Sequence, residues 1–551
     1  MTDTSPPTSH RWFHPLGLFV AVLFFTASLT PSLIPREAVM QGVLGGVVAF
    51  IGYHIGRFAG VGWRWLELPR PSARVLGIGE GFLLIIGAGI LIFGLTRVGQ
   101  WQDTTRAVMQ LPPLEDPQPV VILATGVFVF FVLWLFFRLV GGLLWMIDTA
   151  LMRILPRRIA IGLGLAATVW LVWALVDGVL LQRALRAADA SFEAADVLIE
   201  PEIPQPTDPD VTGSDASLVE WDKMGRWGRY FVTQGPKADE IEAYYGPGAM
   251  DPVRVYIGRR SAEDAQARAN LALAELIRTG GFERSTLVVV VPVGTGWMDP
   301  GGHDTLEFMT GGDVATVAVQ YSYLTSALSL MVHPEYGVEQ ARVLFDTIYD
   351  HWTTLPHESR PKLYVHGLSQ GSFNSQRTIR LYDMLGDPIS GALWAGSPFL
   401  SPLWQNVRDG RELGSTEWQP QFGNGSLVRV INQAGAELPG QTPWGPVRMV
   451  FLHYPSDPIV AFTFDSAVQR PDWFVEPRAP DVSPDLQWFP IVTMFQLALD
   501  MAVSLQVEGY GHYYIGDDYI DAWALVLDPP DWSEERAAAL RDAYDKRGPA
   551  F

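Results

Sequence analysis

Ser369 stands in the run Gly367-Leu-Ser-Gln-Gly371, directly after the short strand-forming stretch Leu363-Tyr-Val-His366 and before a helix-compatible stretch from Ser372 to Leu385. A strand, a Gly-x-Ser-x-Gly turn and a helix in that order put the serine hydroxyl at the tip of a strained turn, exposed for nucleophilic attack. Gly367 and Gly371 suit it because a side chain at either place would collide with the strand or the helix. A serine hydroxyl is a weak nucleophile until a base takes its proton, and the base needs an acid to orient it. After such an elbow the chain order is Ser, then Asp or Glu, then His.

Downstream of Ser369 there are only two histidines, His453 and His512. His512 lies in Glu508-Gly-Tyr-Gly-His-Tyr-Tyr514, a Gly-flanked loop able to carry an imidazole over strand ends, and it is the expected base. His453 falls inside the predicted strand Val447–His453, where packing is the expected role. Asp457, in Tyr454-Pro-Ser-Asp-Pro458, follows that strand and is the expected acid. Catalytic groups gather past strand C-termini in open α/β sheets. The bland alternative is an Asp-Pro turn, with Asp465 and Asp472 as other acids. The oxyanion of an acyl intermediate needs backbone donors. The expected ones are the N–H of Gln370 and the N–H of Thr295 in Pro292-Val-Gly-Thr-Gly-Trp297, with Gly294 and Gly296 as alternatives in the same loop. His366 either touches the substrate pocket or packs at its strand end. His303, His333, His351 and His357 precede the nucleophile, so chain order disfavours them as base.

The elements that would position these groups alternate from about residue 218 onward. Strands are predicted at Val253–Ile257, Thr286–Val291, Val314–Gln320, Leu363–Val365, Gly391–Trp394, Val428–Asn432 and Val447–His453, and helices at Ala262–Arg278 and Val338–Trp352. Apolar strands alternating with helices imply a parallel sheet covered on both faces, an α/β domain over residues 218–551. The stretch Trp488–Met501 reads as an amphipathic or buried helix, or as a lid or acyl-chain wall. Residues 191–217, dense in proline and acid, read as an extended tether.

Residues 1–190 are different in kind. They hold 14 Arg, no Lys and 10 acidic residues, a net of +4, whereas the remainder holds 25 basic and 49 acidic residues, a net of −24, for the chain's −20. Five apolar runs, Pro15–Ile34, Ala38–Ile55, Val75–Thr96, Val120–Phe137 and Ile159–Val176, approach or exceed the length that crosses a bilayer, about 20 residues. The first is read as a retained span and not a cleaved signal. Arginines 11, 57, 64, 70, 74, 138, 153, 157 and 158 fall on one side of such a bundle, against 36, 97 and 106, with 183 and 186 after the last span. That bias puts the N-terminus inside and the acidic domain outside the cytoplasm. Glu80, Arg138 and Asp177 sit near span ends, where snorkelling explains them better than transport does.

An acidic domain argues against nucleic-acid binding. With no cysteine, disulfides, thiolate metal sites and Cys nucleophiles are excluded. No metal-ligand spacing and no nucleotide-binding glycine motif is present, so neither metal nor cofactor is expected.

The chain resembles a bacterial family of multi-pass membrane α/β-hydrolases. The marks are Thr30-Pro-Ser-Leu-Ile-Pro-Arg36, Gly225-Arg-Trp-Gly-Arg-Tyr-Phe-Val232, Pro292-Val-Gly-Thr-Gly-Trp297 and Gly367-Leu-Ser-Gln-Gly371. The resemblance implies a transmembrane module followed by an α/β-hydrolase domain with a Ser369–Asp457–His512 site; it names no substrate. Leu368 departs from the histidine many such elbows carry. The expectation is a membrane-anchored serine hydrolase, esterase- or lipase-like, with the bilayer as partner and a membrane or envelope lipid ester as substrate. An acyltransferase with the same triad, or a non-catalytic scaffold or receptor, is the alternative.

Overall fold

The computed structural model describes residues 14–69, 72–174, 191–198, 200–326, 334–379, 386–435, 442–475 and 477–548. Arg11, Arg70, Val176, Asp177, Arg183, Arg186 and His333 therefore lie outside the described residues. The chain divides into two compact units: Met1–Gly178 with Phe462–Ser504, and Val179–Ala461 with Leu505–Phe551.

The five apolar runs form five helices: α1 (Pro15–Ser28), α2 (Ala38–Trp65), α3 (Ala73–Val108), α4 (Pro119–Leu151) and α5 (Arg157–Trp173). Three of them, α2, α3 and α4, are long and apolar enough to cross a membrane. α1 has 14 residues and stops at Ser28, where the Pro-bounded turn Thr30–Arg36 begins, and α5 has 17 described residues before its cap at Ala174. Among the described residues three helices thus have spanning length, against an expectation of five spans. The surface is inverted relative to a water-soluble protein, with Ile78, Phe82, Ile85, Phe128 and Trp170 all more than half exposed. Close helix approach comes from two Gly-x-x-x-Gly pairs on α2. A Cβ on Gly42 or Gly46 would come within 2.6 Å of α4 atoms, and one on Gly52 or Gly56 within 2.9 and 2.6 Å of α1 atoms. Small residues at that spacing let helix backbones touch where lipid offers no hydrophobic driving force.

The segment Phe462–Ser504, part of the predicted domain 218–551, groups with these helices. Its helix, Val492–Ala502, together with Phe489 just before it, packs on α1 and α2 through Val492, Phe495 and Leu499 against Phe24, Ala27, Leu44 and Val48. The buried carboxylate of Asp500 ties it to the Thr30–Arg36 turn. Oδ1 accepts from Arg36 Nε at 2.8 Å, and Oδ2 accepts from the Ser32 hydroxyl and from Leu33 N at 3.0 Å.

The second unit is built on seven strands: β1 (Val253–Ile257), β2 (Thr286–Val291), β3 (Val314–Val319), β4 (Lys362–Leu368), β5 (Gly391–Ala395), β6 (Val428–Ile431) and β7 (Arg448–Leu452). Their order is β1-β3-β2-β4-β5-β7-β6 and all pairings are parallel. β2, β3 and β5 are buried at every residue, which is why they read as unbroken apolar runs instead of alternating ones. Register lines up the C-terminal ends: Val291 pairs with Gly367, Leu368 with Ala395, and Ala395 with Leu452.

Residues 191–217 are not an extended tether. Asp196, Ile203, Thr212 and Ser214 are buried, and Val211 packs on the sheet's core. Asp196 Oδ1 accepts from Arg226 N at 3.1 Å, and Gln205 Nε2 donates to Gly213 O at 3.0 Å. Proline density predicts extension, but these buried side chains and the hydrogen bond from Arg226 N hold the segment within the second unit.

Candidate active site

β4 runs into Ser369, whose φ of 56° and ψ of −123° are strained for a residue with a Cβ, and the helix Gln370–Ser375 starts immediately after it. The turn is possible only because of its glycines. A Cβ on Gly367 would sit 2.5 Å from the Gly371 carbonyl carbon, and one on Gly371 would sit 2.0 Å from Val291 O. Ser369 N donates to Ala395 O at 3.0 Å, which pins the nucleophile turn to the end of β5.

Gly396 follows Ala395. It has φ +51°, and a Cβ there would lie 2.6 Å from His512 Cε1. The imidazole therefore sits against the backbone at the end of β5, the strand to which Ser369 N is also hydrogen-bonded. His512 is 6 % exposed, and its Nδ1 is 2.7 Å from Asp457 Oδ2. Opposite an acceptor-only carboxylate, Nδ1 carries the proton, so Nε2 is left as the acceptor nitrogen. Nε2 has no hydrogen-bond partner among the described residues. Asp457, completely buried, lies just past β7 in a turn closed by Asp457 N donating to Tyr454 O at 2.9 Å. Its Oδ1 accepts from Ile459 N at 2.8 Å. The structure thus brings Asp457 and His512 into direct contact and places both Ser369 and His512 at the C-terminal end of β5.

Sequence reasoning missed several groups that complete this arrangement. Tyr514 donates its hydroxyl to Asp457 Oδ2 at 2.8 Å while accepting from Tyr454 N at 3.3 Å. Burial and the Asp457 charge push the Tyr514 hydroxyl well above its ordinary pKa, so it remains a donor. Ser456 Oγ accepts from Gly511 N at 3.0 Å and fixes the loop that carries His512. The only signal for Tyr514 was its place in an aromatic-rich loop, which is equally a packing signal.

The loop Pro292–Trp297 leaves β2 beside the elbow. Gly294 N donates to Ser326 Oγ at 3.2 Å and Gly296 N to Val293 O at 2.9 Å, so both alternatives in this loop are engaged. Thr295 N makes no hydrogen bond among the described residues. Thr295 O accepts from Gln320 Nε2 at 3.0 Å, and Gly296 O accepts from the Tyr256 hydroxyl at 2.8 Å, so the loop is held rigidly from outside. A Cβ on Gly294 would be 2.9 Å from Gln370 Oε1, which brings the two oxyanion candidates' segments together.

His366 and His453 are packed in the interior of the second unit. His366 is buried among His303, Tyr519 and Trp523, has Nδ1 2.9 Å from Leu393 O, and burial lowers its pKa to about 4. His453, just past β7, accepts from Ser397 N at 3.0 Å through Nε2 and stands edge-on to Trp404. Asp465 and Asp472 lie in Phe462–Ser504, within the first unit.

Residues 253–540 match the model of an alpha/beta-hydrolase family, and residues 29–236 match the N-terminus of an alpha/beta-hydrolase family. The chain belongs to this α/β-hydrolase family. The hydrolase match takes in all seven strands and also the segment Phe462–Ser504, and the N-terminal match takes in α2 to α5 and continues to residue 236, within the second unit. No curated protein and no solved structure gives a significant match.

Proposed function

We propose that this α/β-hydrolase family member is a membrane-anchored serine hydrolase that cleaves a carboxylic ester of a membrane or envelope lipid. The observation that carries the reading is the buried Asp457–His512 pair at 2.7 Å, with Nε2 open, beside a serine held in a strained elbow. Ser369 Oγ attacks the acyl carbon as His512 Nε2 takes its proton. The oxyanion that forms is met by the N–H groups of Gln370 and Thr295. His512 then protonates the leaving alcohol, the acyl group stays on Ser369 Oγ, and water repeats the sequence to release the acid. Asp457 holds the imidazole tautomer throughout and stabilises its cation. Ester chemistry on a lipid is supported by the three apolar helices, which keep the enzyme at a bilayer. The arginine bias of the first third supports five spans, an inside N-terminus and an extracytoplasmic hydrolase domain.

The test uses the full-length protein in detergent with a fluorophosphonate probe. Wild type should be labelled and Ser369→Ala should not; folded wild type that fails to label removes the hydrolase reading. A lipidomic comparison of cells carrying wild type or Ser369→Ala then identifies the ester that accumulates.

A further inference from the structure

The segment Phe462–Ser504 interrupts the hydrolase unit between Asp457 and His512 in the chain, and it folds with the helices of the first unit. Its helix Val492–Ala502 runs along α2 in a defined direction. At the Asp500 end it meets Arg36, just before α2 begins, and at the Val492 end it meets Leu44 and Val48. At 1.5 Å per residue, Leu44 and Val48 lie about 9 and 15 Å along α2 from Ala38. The other end of α2 carries Trp63, Arg64 and Trp65, the residue types that anchor a helix at an interface. Counting back from there by the roughly 20 residues that span hydrocarbon reaches Leu44. The Val492 end of the segment is thus level with the edge of the hydrocarbon, and the Asp500 end lies above it.

The short helical turn Phe464–Ala467 is fastened to that lower end. Ile491 N donates to Ala467 O at 2.8 Å, and Trp488 Nε1 donates to Ser466 O at 2.8 Å. On it Phe464 is 67 % exposed, and directly after it Val468 is 78 % exposed, both large apolar side chains. Their neighbours Asp465, Gln469 and Arg470 are also exposed. A headgroup layer accommodates such charges and hydrocarbon does not.

We infer that Phe462–Ser504 is an interfacial arm, keyed to the helical unit by the buried Arg36–Asp500 pair, whose Phe464 and Val468 side chains insert into the outer part of the lipid acyl region. The occupant of this apolar surface is lipid because the arm is packed on a helix that itself crosses the bilayer, at the depth where hydrocarbon begins. The inference rests on the membrane reading of α2 and is independent of the triad.

The chain has no cysteine, so each introduced thiol is the only one. Full-length Phe464→Cys and Val468→Cys, labelled with nitrobenzoxadiazole and reconstituted in phosphatidylcholine vesicles, report the depth of the arm. Lipid bearing a doxyl group at acyl carbon 5 should reduce emission about twofold or more, while aqueous iodide should leave it nearly unchanged. Ile85→Cys on α3, at a side chain 75 % exposed, gives the lipid-facing reference, and Lys546→Cys, on the helix Glu534–Arg547, gives the water-facing one. Quenching of Phe464→Cys and Val468→Cys by iodide, or no quenching by either agent while Ile85→Cys responds to doxyl lipid, overturns the arm alone. No doxyl response at Ile85→Cys overturns the membrane reading and the arm with it.

Discussion

Asp457→Asn isolates what the acid of the proposed triad does, because the structure dictates how the amide must sit. Asp457 Oδ1 is claimed by Ile459 N at 2.8 Å, a donor that only an oxygen can answer. The amide nitrogen therefore takes the place of Oδ2, facing both His512 Nδ1 and the Tyr514 hydroxyl. Tyr514 can rotate its hydroxyl to accept. His512 can answer an N–H donor only by presenting Nδ1 bare, which moves its proton to Nε2. The nitrogen that should take the Ser369 proton then already carries one. Loss of the correct tautomer in a serine triad costs on the order of 10⁴ in kcat, about 5.5 kcal/mol of transition-state stabilisation. Every other hydrogen bond can be re-formed in the exchanged pattern, but the Tyr514 hydroxyl proton loses its acceptor, so the cost to folding should stay within about 1–3 kcal/mol. The assay is hydrolysis of a short-chain p-nitrophenyl ester by the full-length protein in detergent, with kcat, KM and a thermal melt on the same preparation. The expected result is a collapse of kcat with KM close to wild type and a melting temperature lowered by only a few degrees. Activity within about tenfold of wild type would refute the assignment of Asp457 as the orienting acid.

Other expectations follow from single contacts. Gly396→Ala places a Cβ 2.6 Å from His512 Cε1 at a positive φ, so it should shift the imidazole and lower kcat at least about tenfold with the Asp457 contact perturbed, read by ester kinetics. Asp500→Ala leaves the Arg36 guanidinium buried without its carboxylate, both side chains being fully buried, and should destabilise the helical unit by about 3–5 kcal/mol in a denaturant titration. Asp299, capping the helix Pro300–Met309, has its carboxyl pushed up to about 7 by burial. The folded state then binds a proton that the unfolded chain has lost between roughly pH 4 and 7, so this group lowers stability as pH rises through that window. Asp299→Asn should flatten that part of the pH–stability curve, and a curve as steep as wild type would contradict it.

Burial that is written locally is legible in the sequence. Thr286–Val291 and Val314–Val319 are buried on both faces, so their apolar runs declared them as strands to within a residue. The elbow was legible because its glycines answer a steric demand only ångströms away. His512 was reached by elimination, which works only where histidine is scarce. Partnerships that span the chain left no local trace. Asp500 and Arg36 are 464 residues apart, and nothing near either one announces the other. The same holds for the supposed tether, where Arg226 N and Arg278 Nη1 reach back to Asp196 and Pro209. Tyr514 escaped notice for a different reason: its type and setting predict burial, and burial is what it has, but its hydroxyl is the part that matters.

The groups that hold the arm and the groups that hold the base are separate sets, although the arm lies between acid and base in the chain. His512 is positioned by Asp457, Gly396 and the Ser456–Gly511 bond, and Asp457 by Ile459 and Tyr514, all within the hydrolase unit. The arm is held by Arg36, Ser32, Leu33 and the apolar contacts of Val492, all within the helical unit. Triad geometry is therefore specified locally and does not require the arm's hydrogen bonds. A substitution such as Asp500→Asn should change stability and leave the kcat of surviving enzyme on a soluble ester intact, whereas one at Asp457 should act chiefly on kcat. An insertion can evolve between acid and base only if the base returns to a site already built to receive it. The buried, pre-tethered Gly511–His512 loop is such a site.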